Sequence, residues 1–388
     1  MDRPQSRVAL ARCGNYQPEV VQAAVERVLS NLEPLPLPAG GRILLKPNCL
    51  AASSGPDEPI NTRAEVTAAV GRYLQAHHQA ELVIADSGGI GTYDRAERVY
   101  RRMGLDRVAQ ELGADLLNLE TLGLKQVQGR TSLVLPSFRV SRVLDQVDAV
   151  VNLPKLKTHM LTGMTGAVKN CLGLLPGSLK RDVHIAAPTG RLMSAALVDI
   201  FSAIVPALNV LDAVVGMEGN GPSQGRAKEL GLIIASHDAV AADYLACRLM
   251  GLDPGAVATV TLAHQAGLGA AGPAEIELVG AQWDRLPGVR FALPMSFQFR
   301  SAQRLLPPKI TGRLMARLLE AKPRTVPANC RACGLCVQSC PAGALSLQEG
   351  TVRLDRELCL ECYCCLEHCP DQGLRLPRGL WDRLRPGR

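Results

Sequence analysis

Aromatic residues are scarce in this chain, since they make up only 3% of its 388 residues. Proteins that bind single-stranded nucleic acid stack the bases on aromatic side chains, so this composition argues against that class. A run of about eighteen consecutive apolar residues, the length that a membrane-spanning helix needs, is also missing. The segment Met1-Asp2-Arg3-Pro4 opens no apolar stretch of the secretory type, and we therefore predict a cytoplasmic protein without a membrane span.

Short nucleotide-binding and metal-binding motifs outside the cysteines are absent as well. The glycine-rich segment Gly88-Gly89-Ile90-Gly91 matches neither the dinucleotide fingerprint nor the phosphate-binding loop, so neither NAD nor ATP is indicated. Flavin sites often lack short motifs, and the sequence leaves a flavin undecided. The seven histidines form no H-x-H or H-E-x-x-H pair, so a metal site among the histidines is not supported.

Cysteine, in contrast, is abundant and patterned. Two copies of the run C-x2-C-x2-C-x3-C-P lie near the C-terminus, one from Cys330 to Pro341 and one from Cys359 to Pro370. This run holds two [4Fe–4S] clusters in bacterial-type ferredoxins, where the fourth cysteine of each run ligates the other cluster. We therefore predict two clusters. The ligands of the first cluster are Cys330, Cys333, Cys336 and Cys369. The ligands of the second cluster are Cys340, Cys359, Cys362 and Cys365.

A zinc site and a disulfide scaffold are the alternatives for these cysteines. Zinc sites use two separated C-x2-C pairs without the C-P ending, and disulfides belong to secreted proteins. Two clusters explain the spacing better, and they indicate one-electron chemistry. Cys364 is left over and is predicted not to be a ligand. Cys49 and Cys171 are expected to be buried thiols, with a redox or ligand role for either as the minor alternative.

The net charge of +7 is concentrated in one stretch. Between Gln298 and Arg324 there are seven basic residues and a single acid, Glu320. Such a stretch is most often a solvated linker helix, and the alternative is a docking surface for an acidic redox partner.

The rest of the chain alternates short β-branched runs with helical patterns, which predicts an α/β fold. We expect a mixed, mostly parallel sheet covered by helices, plus a small α+β ferredoxin-like domain at the C-terminus. The expected boundaries are an α/β domain at 1–290, a basic Pro- and Arg-rich linker at 291–327, the ferredoxin-like domain at 328–377 and a basic tail at 378–388. Predicted elements that matter below are a strand at Ser132–Leu135 and helices at Tyr93–Leu112 and Gly163–Leu174.

Polar residues follow five of the predicted strands. They are Lys46 and Asn48, then Asp86, then the segment from Pro154 to His159, then Glu218, and finally Ser236 to Asp238. Ligands of open α/β sheets bind outside the carboxyl ends of the strands, so these residues are candidates for one site. Asp238 is at least as well explained as a helix cap.

The densest polar segment runs from Pro154 to Gly173. Its lysines are interleaved with small residues and not with acids, which favours an anionic ligand over lysines that simply face solvent. Free amide groups between Gly163 and Gly166, at the start of the predicted helix, would offer a further site for carboxylate or phosphate. The candidates in this segment are Lys155, Lys157, His159, Lys169 and Asn170.

Several of these blocks resemble the DUF362 family. They are Leu45-Lys46-Pro47-Asn48, Ala85-Asp86-Ser87-Gly88, Asn152 to His159, Gly166 to Gly173 and Gly216 to Pro222, and the resemblance covers roughly residues 5–285. It is similar to the version of the family that carries a C-terminal 4Fe–4S ferredoxin-like domain. The resemblance implies an iron–sulfur protein and little more about function, because the family name records an unknown function.

The hypothesis that combines these features is an enzyme, a ferredoxin-type iron–sulfur reductase. Two clusters would relay low-potential electrons from a ferredoxin or flavodoxin to a small anionic substrate in the α/β domain. Lys46, Asn48, Lys155, Lys169 and Asn170 would bind the substrate. The catalytic candidates are His159, as proton donor because its ordinary pKa is near neutrality, and Lys157, Asp86 and Glu218.

The alternatives are an electron-transfer or reductive-activation protein that docks a partner enzyme, and a factor that transfers clusters. A pocket of substrate size near a cluster would favour the enzyme, whereas clusters on an open surface would favour the carrier.

Overall fold

The structure is a computed structural model that describes residues 5–50, 58–89, 96–294, 296 and 322–376. Most of the basic stretch, the tail at 378–388 and the beginning of the helix predicted from Tyr93 lie outside the described residues. The proposed docking role of the basic stretch therefore stays a prediction.

The strands lie mainly in the first three quarters of the chain. In chain order they are β1 (Ser6–Arg12), β2 (Arg42–Pro47), β3 (Glu81–Ile84), β4 (Asp115–Leu116), β5 (Leu124–Val127), β6 (Phe138–Ser141), β7 (Ala149–Leu153), β8 (Lys155–His159), β9 (Gly163–Thr165), β10 (Leu208–Asn220), β11 (Gln224–Ser236), β12 (Ile276–Val279), β13 (Arg324–Thr325), β14 (Leu345–Gln348), β15 (Thr351–Leu354) and β16 (Leu374–Arg375).

The helices of the described residues are mostly short. They are α1 (Pro18–Ser30), α2 (Ala64–His78), α3 (Ala96–Met103), α4 (Leu105–Leu112), α5 (Ala167–Asn170), α6 (Leu179–Ala186), α7 (Gly190–Ile204), α8 (Ala239–Met250), α9 (Ala258–Gln265), α10 (Leu335–Gln338) and α11 (Cys364–Glu367). Helix α1 shows how the sequence specifies them: it begins at a proline, and Val21, Ala24, Val25 and Val28 recur at helical spacing and are buried.

A ten-stranded sheet organises the larger part, with the order β12-β1-β11-β10-β7-β2-β3-β4, and β8 and β9 attached beside β10. Strands β10, β7, β2, β3 and β4 pair in parallel, as do β1 and β12, while β11 runs antiparallel to both of its neighbours. One apolar core contains side chains of α1 and α2, and another contains those of α7 and α8. The expected α/β class, with a mixed, mostly parallel sheet covered by helices, is confirmed.

The direction of β11 corrects one expectation about the strand ends. Because β11 is antiparallel to β10, the chain after Ser236 runs away from the carboxyl ends of β2, β3 and β7, and Asp238 does not join the residues that follow those strands. Asp238 caps α8, since its carboxylate accepts hydrogen bonds from the amides of Val240 and Ala241 at 2.8 and 3.0 Å. The interpretation of Asp238 as a helix cap is therefore confirmed.

Three local predictions were wrong. Residues 132–135 form no strand, and the neighbouring hairpin pairs β5 with β6 instead. The long helix predicted to end at Leu112 is divided at Gly104, whose positive φ of 78° interrupts it. The helix predicted at Gly163–Leu174 begins with β9, and only Ala167–Asn170 forms an α-helical turn. Lys155 and Lys157 lie on the buried strand β8, which excludes the alternative that they simply face solvent.

The C-terminal part is small and contains β13 to β16 with α10 and α11. Strand β14 pairs with β15, and β13 pairs with β16, which brings the two ends of this part together. It packs against the sheet domain through polar contacts: the Gln224 side-chain amide donates to the Leu366 carbonyl at 2.9 Å, and the Arg181 guanidinium donates to the Pro341 carbonyl at 3.2 Å.

Candidate functional site

A cavity lies between the sheet domain and the C-terminal part, at the carboxyl ends of β2 and β3. Its volume is about 70 Å³, and it is partly open to solvent. Its walls come from both parts of the molecule: Asn48, Cys49, Leu50, Asp86, Ser87, Gly89, His159, Thr165, Lys169, Asn170, Leu172, Gly173, Lys180, His184, Met193, Glu367 and His368. Glu367 and His368 belong to the second cysteine run, between Cys365 and Cys369.

Five of the residues predicted from the sequence meet in this cavity: Asn48, Asp86, His159, Lys169 and Asn170. Lys46 lies directly behind them, with its ammonium 2.8 Å from Asp86 Oδ1, and both side chains are buried. Asp86 Oδ2 also accepts a hydrogen bond from the Cys49 amide at 2.8 Å. A Cβ atom on Gly173 would lie 1.9 Å from Asp86 Oδ1, so glycine at this position makes room for the ion pair.

Lys157 begins a chain of buried amides behind the cavity. Its ammonium donates to Asn48 Oδ1 and to the Ile60 carbonyl, both at 2.7 Å. The Asn48 side chain donates to Asn170 at 3.1 Å, Asn170 donates to Asn152 at 2.8 Å, and Asn152 donates to Asn209 at 2.9 Å. Every amide donates in the same direction, and such chains strengthen each other's bonds. The chain fixes Asn48 and Asn170 at the cavity wall.

Burial lowers the pKa values of the cationic groups around the cavity. It lowers the pKa of Lys157 well below its usual value, and the nearby Lys169 lowers it further. Burial also lowers the pKa of Lys169 itself, against the influence of Glu367. Within the described ranges the Lys169 ammonium makes no hydrogen bond or ion pair, although it lines the cavity. It is the cation of the site that is best placed to meet a ligand.

His159 is neutral in this environment. Burial, followed by the charges of Lys169 and Lys157, lowers its pKa well below its usual value. Its Nδ1 accepts hydrogen bonds from the amides of Leu161 and Thr162 at 3.1 and 3.3 Å, so the proton is on Nε2, which lies 3.5 Å from Glu367 Oε1. The pKa of His159 is therefore not near neutrality, as the sequence-based expectation of a proton donor required. Its Nε2–H is instead positioned to donate a hydrogen bond.

Lys180 was missed by the sequence analysis, although its chemistry suits the site. Its ammonium donates to the carbonyls of Ser87 (2.8 Å) and Gly88 and lines the cavity. Burial lowers its pKa to about 8. Lys180 and His184 are four residues apart in α6 and so share one helix face, a spacing that could have drawn attention to both.

Three buried polar atoms on the cavity wall have no hydrogen-bond partner among the described residues. They are Thr165 Oγ1, His184 Nδ1 and His368 Nε2. An unsatisfied buried polar atom costs on the order of 1–3 kcal/mol, and several together at one cavity indicate a place for a polar ligand.

Two predicted site residues lie elsewhere. Lys155 is buried in an ion pair with Asp212 at 2.8 Å and donates to the Tyr16 hydroxyl at 2.7 Å. Glu218 accepts hydrogen bonds from Arg226 at 3.2 Å and from the Ala292 amide at 2.9 Å. Neither lines the cavity, and each is already paired with other protein groups.

The anion site expected at the start of the helix after Gly166 is occupied by the protein itself. The Asp243 carboxylate, from α8, accepts hydrogen bonds from the amides of Ala167 and Val168 at 2.6 and 3.1 Å. A Cβ atom on Gly166 would lie 2.1 Å from Asp243 Oδ1, so glycine permits this approach. Burial raises the pKa of Asp243 to about 7.

The cysteines of the two runs collect in two groups. Cys330, Cys333, Cys336 and Cys369 line one small cavity. Burial raises the pKa of Cys336 to about 11, with smaller contributions from Cys369, Cys333 and Cys330. Burial raises the pKa of Cys365 well above its usual value, and the neighbouring Cys362, Cys340, Cys359 and Cys336 raise it further. Amides of Ala344 and Gly373 donate to the sulfurs of Cys340 and Cys369 at 3.2 and 3.1 Å.

Comparison with known proteins agrees with the two-part architecture. Residues 43–248 match the family model described as "Domain of unknown function (DUF362)", and residues 329–372 match a "4Fe-4S dicluster domain". The chain belongs to the DUF362 family. Its C-terminal part is an iron–sulfur cluster domain of the 4Fe–4S type.

The chain is similar to "Thylakoid-associated protein sll1697" of Synechocystis sp. (strain ATCC 27184 / PCC 6803 / Kazusa). It is 33% identical over 267 residues, which is 67% of this chain and 79% of the relative. Among solved structures, the lactate racemase apoprotein from Thermoanaerobacterium thermosaccharolyticum is similar with a TM-score of 0.36 and 12% identity, over 63% of this chain and 57% of that protein. This last similarity is too weak to support an argument. No helix in the described part of this DUF362 protein is long and apolar enough to cross a membrane.

Proposed function

We propose that this DUF362 protein is an iron–sulfur reductase whose two [4Fe–4S] clusters pass low-potential electrons to a small anionic substrate in the cavity between its two parts. The observation that carries the proposal is the position of the cavity, because the second cysteine run supplies two of its wall residues, Glu367 and His368. An electron acceptor bound there would lie beside the second cluster.

Two clusters, with the ligand sets assigned from the sequence, are part of the proposal. The four cysteines assigned to the first cluster line a common cavity, although Cys369 belongs to the second run. Cys340, from the first run, is similarly near Cys365. Backbone amides donate to the sulfurs of Cys340 and Cys369, as hydrogen bonds to cluster thiolates do. The residues present therefore fit the clusters, which supply one-electron reduction when bound.

The cavity residues divide into binding and proton-transfer roles. Lys169 binds the anionic group, while Asn48 and Asn170 orient the substrate from the amide chain. His159 donates a hydrogen bond through Nε2, and Lys180 supplies the proton, because its pKa of about 8 is near the pH at which such a protein works. Lys46 and Asp86 hold the wall in place, and Lys157 holds Asn48.

The electron donor belongs to the same proposal. A ferredoxin or flavodoxin would have the low potential that the clusters need, and the cytoplasm would keep the thiolates reduced. The second candidate function is an electron-transfer or reductive-activation protein that docks a partner enzyme. The cavity favours the reductase, since a carrier needs no polar cavity beside its cluster.

A reoxidation experiment tests the proposal. The anaerobically loaded protein is reduced with dithionite, freed of reductant, and mixed with a panel of small carboxylates and phosphates while cluster absorbance is followed. At least one compound is expected to reoxidise the wild-type clusters. The Lys169→Gln variant should react with it about tenfold to a hundredfold more slowly at low concentration, because a charge-assisted hydrogen bond is lost.

The matched control is Lys125→Gln, which removes a partly exposed lysine that is paired with Asp145 outside the cavity and should leave the rate unchanged. Equal rates in the Lys169→Gln and wild-type proteins would contradict the binding role. Reoxidation by a partner protein alone, with no response to any small anion, would favour the carrier.

The same reaction should depend on pH through Lys180. Because its pKa is lowered to about 8, the ammonium is present below that pH and lost above it, so the rate of reoxidation should fall as the pH rises through about 8. A Lys180→Met variant should be slow and should lose this dependence. A wild-type pH profile in that variant would assign the proton donor to another group.

A further inference from the structure

A buried group of one imidazole and two thiols joins the two parts of the molecule. Ligand atoms of His184, Cys362 and Cys364 all lie within 4.8 Å of one another, and the three side chains are buried. His184 belongs to α6 of the sheet domain, whereas Cys362 and Cys364 belong to the second cysteine run. The group is the only one of its kind among the described residues.

The same imidazole ring also faces the cavity. His184 is one of the cavity wall residues, and its Nδ1 is buried without a hydrogen-bond partner in the described part of the chain. Lys180, one helical turn earlier in α6, donates hydrogen bonds to the carbonyls of Ser87 and Gly88. The His184 ring therefore lines the cavity and has a ring nitrogen within 4.8 Å of the sulfurs of Cys362 and Cys364.

We propose that His184 is a positioning residue that tunes the second cluster and couples its reduction to occupancy of the cavity. This inference rests on the proposed function in one respect, that Cys362 is a ligand of the second cluster. A polar N–H dipole beside a cluster thiolate stabilises its negative charge, and such outer interactions raise the reduction potential of iron–sulfur clusters. Cys364 is the neutral thiol that completes this environment.

The sign of the coupling follows from charge. Reduction adds one negative charge to the cluster, and an anion in the cavity repels that charge across the wall that contains His184, Glu367 and His368. The anion therefore binds more weakly to the reduced protein, and by reciprocity its binding lowers the potential of the second cluster. A tenfold difference in affinity between the two redox states corresponds to a shift of about 59 mV for a one-electron couple.

The alternative is that the ligand atoms of His184, Cys362 and Cys364 bind a single metal ion. It would need Cys362, which completes the four-cysteine set of the second cluster, and Cys364 and His184 alone would leave it only two protein ligands. The Cys364→Ala variant separates the two cases. Unchanged iron and no loss of another metal support the tuning role, whereas loss of a bound metal would overturn it.

The experiment is a redox titration of the anaerobically loaded full chain, followed by EPR, without any added ligand. His184→Leu, which removes the ring dipole, should make the second cluster about threefold to tenfold harder to reduce at a given potential while the first cluster is unchanged. His184→Gln, which keeps a side-chain N–H, should restore most of the effect. An unchanged second cluster in His184→Leu would overturn the inference.

A second titration in the presence of inorganic phosphate tests the coupling. The midpoint of the second cluster should fall in the wild type and stay constant in Lys169→Gln, while the first cluster responds in neither. A potential that phosphate leaves unchanged, although equilibrium dialysis shows phosphate bound, would overturn the coupling. The titration without ligand does not depend on any substrate. It therefore tests the effect of His184 on the second cluster independently of the proposed reductase activity.

Discussion

Replacing Cys369 with alanine is expected to remove the first cluster, even though Cys369 belongs to the second cysteine run. The spacing assigns the fourth cysteine of each run to the other cluster. In the structure Cys369 shares a small cavity with Cys330, Cys333 and Cys336. Iron should fall from about eight atoms per chain toward about four, and the reduced protein should lose the coupling between two paramagnetic clusters.

Matched variants identify which cluster is lost. The residual EPR signal of Cys369→Ala should equal that of Cys333→Ala and differ from that of Cys359→Ala. Conversely, Cys340→Ala should resemble Cys359→Ala. Cys364→Ala is the control, since Cys364 is expected not to be a ligand and both clusters should be retained. If Cys369→Ala resembled Cys359→Ala, each run would hold its own cluster and the crossed assignment would be wrong.

The second large effect concerns stability, at the buried pair of Lys155 and Asp212. Both side chains are at most 1% exposed, and they lie 2.8 Å apart. Lys155→Met should lower the free energy of unfolding by about 3–5 kcal/mol, because it leaves Asp212 as a buried charge without its cation. Thermal unfolding of the loaded protein measures this loss.

Two comparisons make that prediction specific. The double variant Lys155→Met/Asp212→Leu should regain much of the stability, since an apolar pair of similar volume replaces the ion pair. Lys125→Met, which breaks a pair that is 27% and 37% exposed, should cost less than about 1 kcal/mol. Equal losses in Lys155→Met and the double variant would show that packing, and not the uncompensated charge, sets the cost.

Local patterns were sufficient for part of this molecule. The cysteine spacing and the apolar periodicity of α1 are properties of neighbouring residues, and both could be recognised without knowing the fold. The order of polar strand ends placed Asn48, Asp86 and His159 in one site, because β2, β3 and β7 are parallel neighbours and β8 continues from β7.

What could not be predicted depends on contacts between distant segments. Lys155 seemed a ligand-binding lysine because its partners, Asp212 and Tyr16, are 57 and 139 residues away. Asp243 occupies the expected anion site from 76 residues further along the chain. Glu367 and His368 lie within a cluster-binding run, and only the packing of the C-terminal part against the sheet domain brings them into the cavity. The lowered pKa of His159 likewise results from its burial in the folded protein, which the sequence does not reveal.

The proposed function depends most directly on two [4Fe–4S] clusters in the C-terminal part, and one measurement tests whether both are present. Iron and sulfide are quantified in the anaerobically purified full chain, and EPR is recorded after reduction with dithionite. We predict about eight irons and eight sulfides per chain, with the signals of two interacting clusters. About four irons and a single uncoupled signal, or iron replaced by zinc, would contradict the account.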